Sequence, residues 1–277
     1  MVFHGLFGKT LSHSISPELH KEIYKVTGYD AAYKIMEFQN DELENAVNAL
    51  KILKIKGVNV TIPYKEKVLP FLDFIDEDVK NIGAVNTISL KSEKLYGYNT
   101  NCYGFGKIIE DFKVLGKDVT VLGYGGASKS VIYHLLKANI NSITIVSRKA
   151  FELKKSITNP KIKFINYEDV YNIKGDVIVN TTPIGMYPDV DKSPVDKKIF
   201  KNYDKACDLI YNPKKTRFLK DADSINLKTE NGLKMLIYQA IKSVEIWREE
   251  EIKESDVNFI YENFCREIGR ASCRERV

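Results

Sequence analysis

The stretch VLGYGGASKS, residues 121–130, holds residue types that can bind a phosphate. Gly123, Gly125 and Gly126 let the backbone turn sharply and come close to an anion, and Ala127 next to them is counted with the cofactor-binding residues. A helix starting there offers unpaired N–H groups and a positive dipole end. The spacing is GxGGAS and not the full GxGxxG. A glycine-rich turn without a ligand is the alternative, and the strand before it and the helix after it argue against that. The next strand end reads ITIVSRKA. NAD-binding units carry an acidic residue about 20 residues past the loop to accept from the ribose 2′-hydroxyl. Here that place holds Ser147, Arg148 and Lys149. A guanidinium can pair with a 2′-phosphate and stack on adenine, so the residues favour NADP over NAD. Two solvated charges at a strand end are the bland alternative.

The elements that must position this loop follow from short apolar runs. DVTVLG at 118–123, a helix over about 128–138, a strand over 142–146, DVIVN at 176–180 and a run over 205–210 suit a parallel sheet. They predict a Rossmann-type domain. Ahead of it, strands are expected over 3–8, 32–38 and 56–61, with a hairpin of 85–90 and 94–98. Helices are expected over 17–27, with Ser16 as N-cap and Pro17 first in the helix, and over 41–53, with Leu43, Ala46, Val47 and Leu50 at helical spacing. After Gly232 an amphipathic helix runs to about Glu249, and another covers about 256–266. These last helices have no βαβ role. They are expected to return to the first domain, the long one bridging both. The fold class is therefore α/β, with an N-terminal α/β domain of residues 1–100 completed by 233–268, and a Rossmann-type domain of 101–232.

Composition narrows the function. A chain of 277 residues suits two modest domains. The net charge of +5 is spread over many lysines without a basic stripe, which argues against nucleic acid and suits anionic small molecules. Four cysteines form no CxxC and fit neither a zinc site nor a disulfide framework, so reduced thiols and a cytoplasmic location are expected. The four histidines have no metal-ligand spacing, and His13 reads as a local hydrogen-bonding residue. The start has no signal-peptide pattern, and no apolar run approaches the roughly 18 residues of a membrane helix. The Arg-rich end GRASCRERV, 269–277, reads as a vector-derived tail.

Eight stretches in order, FGKTLSHSISPELH, GVNVTIPYKEKV, GAVNTI, GYNTNCYGF, GYGGASKS, NTTPIGM, DLIYNPKKT and NGLKMLIYQA, resemble the shikimate dehydrogenase family over about residues 3–266. The resemblance implies an N-terminal domain holding shikimate, a Rossmann domain holding NADP, and an active-site cleft between them. It assigns Ser14 and Ser16 to the substrate carboxylate, with Tyr211 nearby. Ser16 reads equally as a helix cap, or as both. Asn59, Thr61, Asn86 and Gln239 would face the ring hydroxyls, since a polyol needs groups that donate and accept. Lys65 would be the acid–base residue, and its neighbour Lys67 would face solvent. On the cofactor side stand Asn180, Thr181 and Pro183, with Ile210, Gly232 and Met235 as nicotinamide contacts. Met235 could equally be helix core.

One position departs from the family. Its GxNTDxxG stretch supplies an aspartate beside the lysine, whereas this chain reads GYNTNCYG with Asn101 in that place. An amide accepts and donates but carries no charge, so binding should survive better than turnover. Losing a neighbouring anion also lowers a lysine's pKa. Lys129 and Ser130 likewise stand where small apolar residues are common. The expected activity is reversible NADP-dependent reduction of 3-dehydroshikimate to shikimate, in aromatic amino-acid biosynthesis, by a monomer or homodimer. The rivals are a quinate/shikimate dehydrogenase with relaxed cofactor use, and a catalytically weak binding relative. A third is a protein of the same fold for another cyclic polyol or aminated analogue.

Overall fold

The computed structural model describes residues 1–12 and 14–274, with side chains up to residue 267. His13 and the last three residues of the expected tail lie outside the described residues. The chain forms two compact units, Met1–Thr100 with the chain from Ile237 onward, and Asn101–Leu236.

The first unit begins with β1 (Val2–Gly8), α1 (Ser16–Thr27), β2 (Ala31–Glu37), α2 (Leu43–Ile52) and β3 (Gly57–Val60). It continues through β4 (Phe74–Ile75), α3 (Glu77–Ile82), β5 (Thr87–Lys91) and β6 (Lys94–Tyr98). The sheet order is β2-β1-β3-β5-β6-β4. β1 pairs in parallel with β2 and β3, and the β3–β5 and β5–β6 pairs are antiparallel. The expected hairpin forms around Ser92 and Glu93, both at positive φ (46° and 61°). Those angles match the twist of the flanking strands in a two-residue turn. α2 buries Leu43, Val47 and Leu50, the helical stripe read from the sequence. They pack with Phe7, Val58, Tyr64, Val68, Ile88 and Leu95 in one core. The helix is shorter than expected because Asn40–Glu42 form a 3₁₀ turn, in which Glu42 and Gln39 cap one another.

Register decides what this sheet presents. Tyr33 lies opposite His4, His4 opposite Gly57, and Asn59 opposite Thr87. Side chains alternate along a strand, so Tyr33, Asn59 and Thr87 share one face.

The second unit opens with α4 (Thr100–Phe112), a helix that the sequence reading did not anticipate. Then follow β7 (Asp118–Leu122), α5 (Gly126–Lys137), β8 (Ser142–Val146), α6 (Ala150–Ser156) and β9 (Ile162–Ile165). β10 (Val177–Asn180), β11 (Lys205–Asp208), α7 (Arg217–Asp223) and β12 (Lys228–Glu230) complete it. All five strand pairs are parallel, in the order β12-β11-β10-β7-β8-β9. Counted within the unit, this is the doubly wound order 3-2-1-4-5-6, which binds ligands outside the carboxyl ends of the strands. The strands bury continuous apolar runs, such as Val177 to Val179 at 0% exposure, as a sheet covered on both faces requires.

α8 (Leu233–Arg248) and α9 (Glu254–Arg274) close the chain. The division between the units falls inside α8. Its later turns pack on the first sheet, where the Trp247 indole N–H donates to the Ile88 carbonyl at 2.9 Å. α9 lies against α1, joined by Asn263 Nδ2 donating to Glu22 at 2.8 Å. Its backbone stays helical through Arg274, past the start of the expected tail.

Candidate active site

In the second unit the site is made mainly of backbone. After β7 the chain turns at Gly123, whose φ of +96° L side chains rarely adopt. A Cβ there would lie 2.9 Å from the Thr182 side chain. Gly125 is extended and caps α5, and a Cβ added to it would meet nothing within 4 Å. The backbone is thus open to a partner at that point. The Ser128 hydroxyl accepts from the Gly125 N–H and donates to the Gly125 carbonyl at 2.7 Å. This reciprocal cap starts the helix at Gly126, two residues earlier than expected. The amides of Gly126 and Ala127 have no partner within the helix, as in any first turn. An open, amide-lined helix start fits a dinucleotide phosphate. Ser130 is buried, and its hydroxyl donates back to the Gly126 carbonyl at 3.4 Å.

At the end of β8, Ser147 is buried and accepts from the Lys149 N–H at 3.1 Å. This small turn leaves Arg148 and Lys149 exposed. Two neighbouring cations, with no carboxylate beside them in the chain, suit a 2′-phosphate.

Along the same sheet edge a buried carboxylate organises two loops. Asp208 accepts from Asn180 Nδ2 (3.0 Å), the Ile210 N–H (3.1 Å) and the Thr216 hydroxyl (2.6 Å). Burial outweighs these donors and raises its pKa to about 6. The Asn180 carbonyl oxygen accepts from the Thr182 N–H and hydroxyl, at 3.0 and 2.7 Å, so its amide serves the loop. Thr181 donates to the Leu122 carbonyl at 2.7 Å, and Pro183 is exposed. The Ile210 carbonyl receives the Gly232 N–H at 3.1 Å. A Cβ at Gly232 would sit 1.9 Å from the Leu209 carbonyl oxygen, so only glycine fits. Met235 is 6% exposed within the core that holds Phe105 and Val179, which is the core alternative in the sequence reading. Tyr211 is half-buried, and burial raises its pKa.

In the first unit the site is made of side chains. Ser14 and Ser16 hydroxyls lie 3.2 Å apart, and Ser14 accepts from the Ser16 N–H at 3.3 Å. Ser16 is the first residue of α1 and not its N-cap. Ile15 takes that position and has no polar side-chain atom to cap with, while the Ser14 hydroxyl receives the Ser16 amide. The Ser16 carbonyl bonds His20 Nδ1 at 2.9 Å. Thr61 is half-buried after β3, held by its N–H donating to the Phe7 carbonyl at 2.9 Å. Lys65 is half-buried, and lost hydration lowers its pKa to about 8. Lys67 instead reaches Asn40 at the exposed surface, 3.0 Å away.

Asn59 donates through Nδ2 to Ser243 (2.9 Å), Thr87 (3.1 Å) and the Asn86 carbonyl (3.3 Å), and accepts at Oδ1 from the Tyr33 hydroxyl (2.8 Å). Asn86 donates to Thr100 (2.9 Å) and to Gln239 Oε1 (3.1 Å), and accepts the Thr100 N–H at 2.6 Å. Asn101, next in the chain and in the first turn of α4, is buried.

The sequence reading missed Tyr33, Thr87, Thr100, Ser243 and Asp208. A signal existed for one of them: Gln239, Ser243 and Trp247 recur at i, i+4 and i+8, one stripe of α8. Among the described residues no group of three or more His, Cys, Asp or Glu could hold a metal, and no helix is long and apolar enough to cross a membrane.

A first unit presenting hydroxyls, amides and a lysine of lowered pKa, and a Rossmann-type second unit with an open glycine turn, define a dinucleotide-dependent oxidoreductase for a polar small molecule. Comparison with known proteins narrows this. Residues 6–88 match the model of the shikimate dehydrogenase substrate binding domain. The NADP(+) shikimate dehydrogenase of Clostridium beijerinckii is 46% identical over 97% of this chain and 100% of its own. Shikimate dehydrogenase 1 of Peptoclostridium difficile superposes with a TM-score of 0.91 at 43% identity, over 97% of this chain and 99% of that one. The Thermus thermophilus shikimate 5-dehydrogenase, solved with NADP(H) and shikimate, gives 0.84 at 27% identity, over 95% and 99%. The chain belongs to the shikimate dehydrogenase family.

Proposed function

We propose that this protein is an NADP-dependent shikimate dehydrogenase, interconverting shikimate and 3-dehydroshikimate, and that the Asn101 amide slows it. The observation that carries the reading is the half-buried Lys65, with its pKa lowered to about 8, in a unit whose serines, threonine and amides supply bonds for a carboxylate and ring hydroxyls. The first unit is the substrate domain and the second the cofactor domain. NADP, when bound, accepts or returns a hydride. The amides of Gly126 and Ala127 would hold its pyrophosphate, and Arg148 and Lys149 its 2′-phosphate.

The chain's own residues manage the proton and the position. Lys65 takes the hydroxyl proton as the C3–H bond yields its hydride, and returns it in reduction. A pKa of about 8 lets both forms be present near neutral pH. Ser14 and Ser16 anchor the carboxylate. Gln239, Asn86 and Thr61 orient the ring. Asn59 is engaged with Tyr33, Ser243 and Thr87 and acts by holding its neighbours. With Asn101 in place of the family's aspartate, the catalytic set has no carboxylate to share the proton. A cytoplasmic location, supported by cysteine spacings that fit no disulfide framework, and a monomer or homodimer complete the reading.

The test is NADPH formation with shikimate at pH 8 to 9, for the protein and its Asn101→Asp variant. A variant at least tenfold faster is expected. If neither turns over while both bind shikimate and NADP, the protein is a binding relative and the enzymatic reading fails.

A further inference from the structure

Four buried hydroxyl and amide groups beneath Gln239 form a network whose proton directions can be assigned at its two ends. The Thr100 backbone N–H is an unambiguous donor, and it meets Asn86 Oδ1 at 2.6 Å. Asn86 must therefore turn Nδ2 the other way, toward the Thr100 hydroxyl (2.9 Å) and Gln239 (3.1 Å). Gln239 must answer with Oε1. At the far end the Ser243 hydroxyl lies 2.9 Å from the Gln239 carbonyl, which can only accept. Ser243 donates there, so in its 2.9 Å contact with Thr87 it accepts; the Thr100 hydroxyl lies 3.2 Å from both Thr87 and Ser243, and the Thr87 hydroxyl also lies 3.4 Å from Asn86 Oδ1. Thr100 in turn accepts from Asn86. Whichever route the hydroxyl protons follow, the two ends are fixed: Asn86 donates through Nδ2 and the Gln239 carbonyl accepts. Asn59 Nδ2, fixed by the Tyr33 hydroxyl on its other end, reinforces the Ser243 and Thr87 oxygens. Thr87 and Ser243 are 0% exposed, so neither can bond water in place of these partners.

We propose that Ser243 and Thr87 are positioning residues that lock the Gln239 amide with Oε1 inward, so that Nε2 is the group offered to substrate. The inference rests on the reading above that this unit binds shikimate. It assigns a polarity to the subsite: Gln239 gives two donors there, so the ligand must bring an oxygen acceptor. A cyclohexene carboxylate with an ammonium at that place is rejected, because N–H would face N–H.

The experiment measures shikimate and NADP+ dissociation constants by calorimetry on the full chain, which needs no turnover. Ser243→Ala should weaken shikimate about five- to thirtyfold, roughly one or two hydrogen bonds lost to a Gln239 amide no longer held in place, and leave NADP+ within twofold. Thr87→Val should reproduce that loss, and Thr87→Ser, which keeps the hydroxyl, should restore affinity. In a Gln239→Ala background, Ser243→Ala should cost less than twofold more. The proposal is overturned alone if the unaltered protein binds shikimate but Thr87→Val binds as well as Thr87→Ser. It also falls alone if the Ser243→Ala penalty persists in full without Gln239, or if NADP+ weakens in parallel. If the unaltered protein does not bind shikimate, the dehydrogenase reading falls and the relay with it.

Discussion

The two units build their halves of the chemistry differently. The second uses backbone: a glycine at φ +96°, an uncovered helix start, and strand ends aligned by a parallel sheet. Its side chains mostly hold loops, as Asp208, Asn180 and Thr181 do. The first unit uses side chains that hold one another, from Tyr33 through Asn59 to Ser243 and Gln239. A backbone site is sensitive to any added Cβ and tolerant of side-chain identity. A side-chain network is sensitive to single hydroxyls and amides, because each buried partner left unpaired carries its own penalty.

The largest effect expected from breaking this contrast is at Lys65. Lys65→Ala should lower shikimate oxidation by roughly 10²–10⁴-fold, the range for a general acid–base group, with NADP+ affinity unchanged. Steady-state rates and NADP+ titration check both parts. A change in NADP+ binding would show that the units are not separable in this way.

Next, Arg148→Ala with Lys149→Ala should weaken NADP+ about 10–100-fold, since bonds between charged groups contribute about 1.5–3 kcal/mol. NAD, which lacks the 2′-phosphate, should bind as before. Equal losses for both cofactors in fluorescence titrations would remove the 2′-phosphate assignment.

The glycine turn can be divided into fold and function. Gly123→Ala should destabilise by about 1–2 kcal/mol in urea unfolding, because alanine resists a positive φ. Gly125→Ala should leave stability within about 0.5 kcal/mol, since its backbone is extended and its Cβ meets nothing, yet weaken NADP+. A stable Gly125→Ala protein with full NADP+ affinity would mean the open face holds no phosphate.

The smallest effects are in pH dependence, where the units should have opposite signs. His4 and His20 are buried beside Trp247, each with an unpartnered Nε2, and burial lowers their pKa values to about 3 and 4. Unfolded histidine binds its proton near pH 6.5, so the unfolded state holds more protons below that value. Stability from these residues is complete above about pH 6.5 and is lost as pH falls toward 4. Asp208, raised to about 6, works the other way. The folded state holds its proton between about 4 and 6, so its contribution is lost as pH rises through 6. His20→Asn should flatten the acid side of a stability profile by roughly 1–2 kcal/mol between pH 7.5 and 5, and Asp208→Asn should steepen it. Urea titrations at the two pH values check both signs.

Residue order along the chain carried the family, the α/β class, the glycine turn, the cation pair and the candidate lysine, because each is a local pattern of types. Parallel strands were legible as apolar runs, and the hairpin and the α2 stripe as short-range periodicities. Helix α4 was hidden because the NTNCYGF stretch has weak helix formers at its start, and tertiary burial of Phe105, Ile108 and Phe112 overrides that. That Ile15 and not Ser16 takes the N-cap place of α1, with the Ser14 hydroxyl receiving the Ser16 amide, is a matter of ångströms. Tyr33, Thr87, Thr100 and Ser243 come from β2, β5, the start of α4 and α8. Only strand register and the seating of α8 bring them together, so no spacing along the chain could reveal them. Sequence determined which groups exist; tertiary structure decided which way the buried amides point, because that depends on partners far apart in the chain, such as Asn59 and Ser243, 184 residues apart.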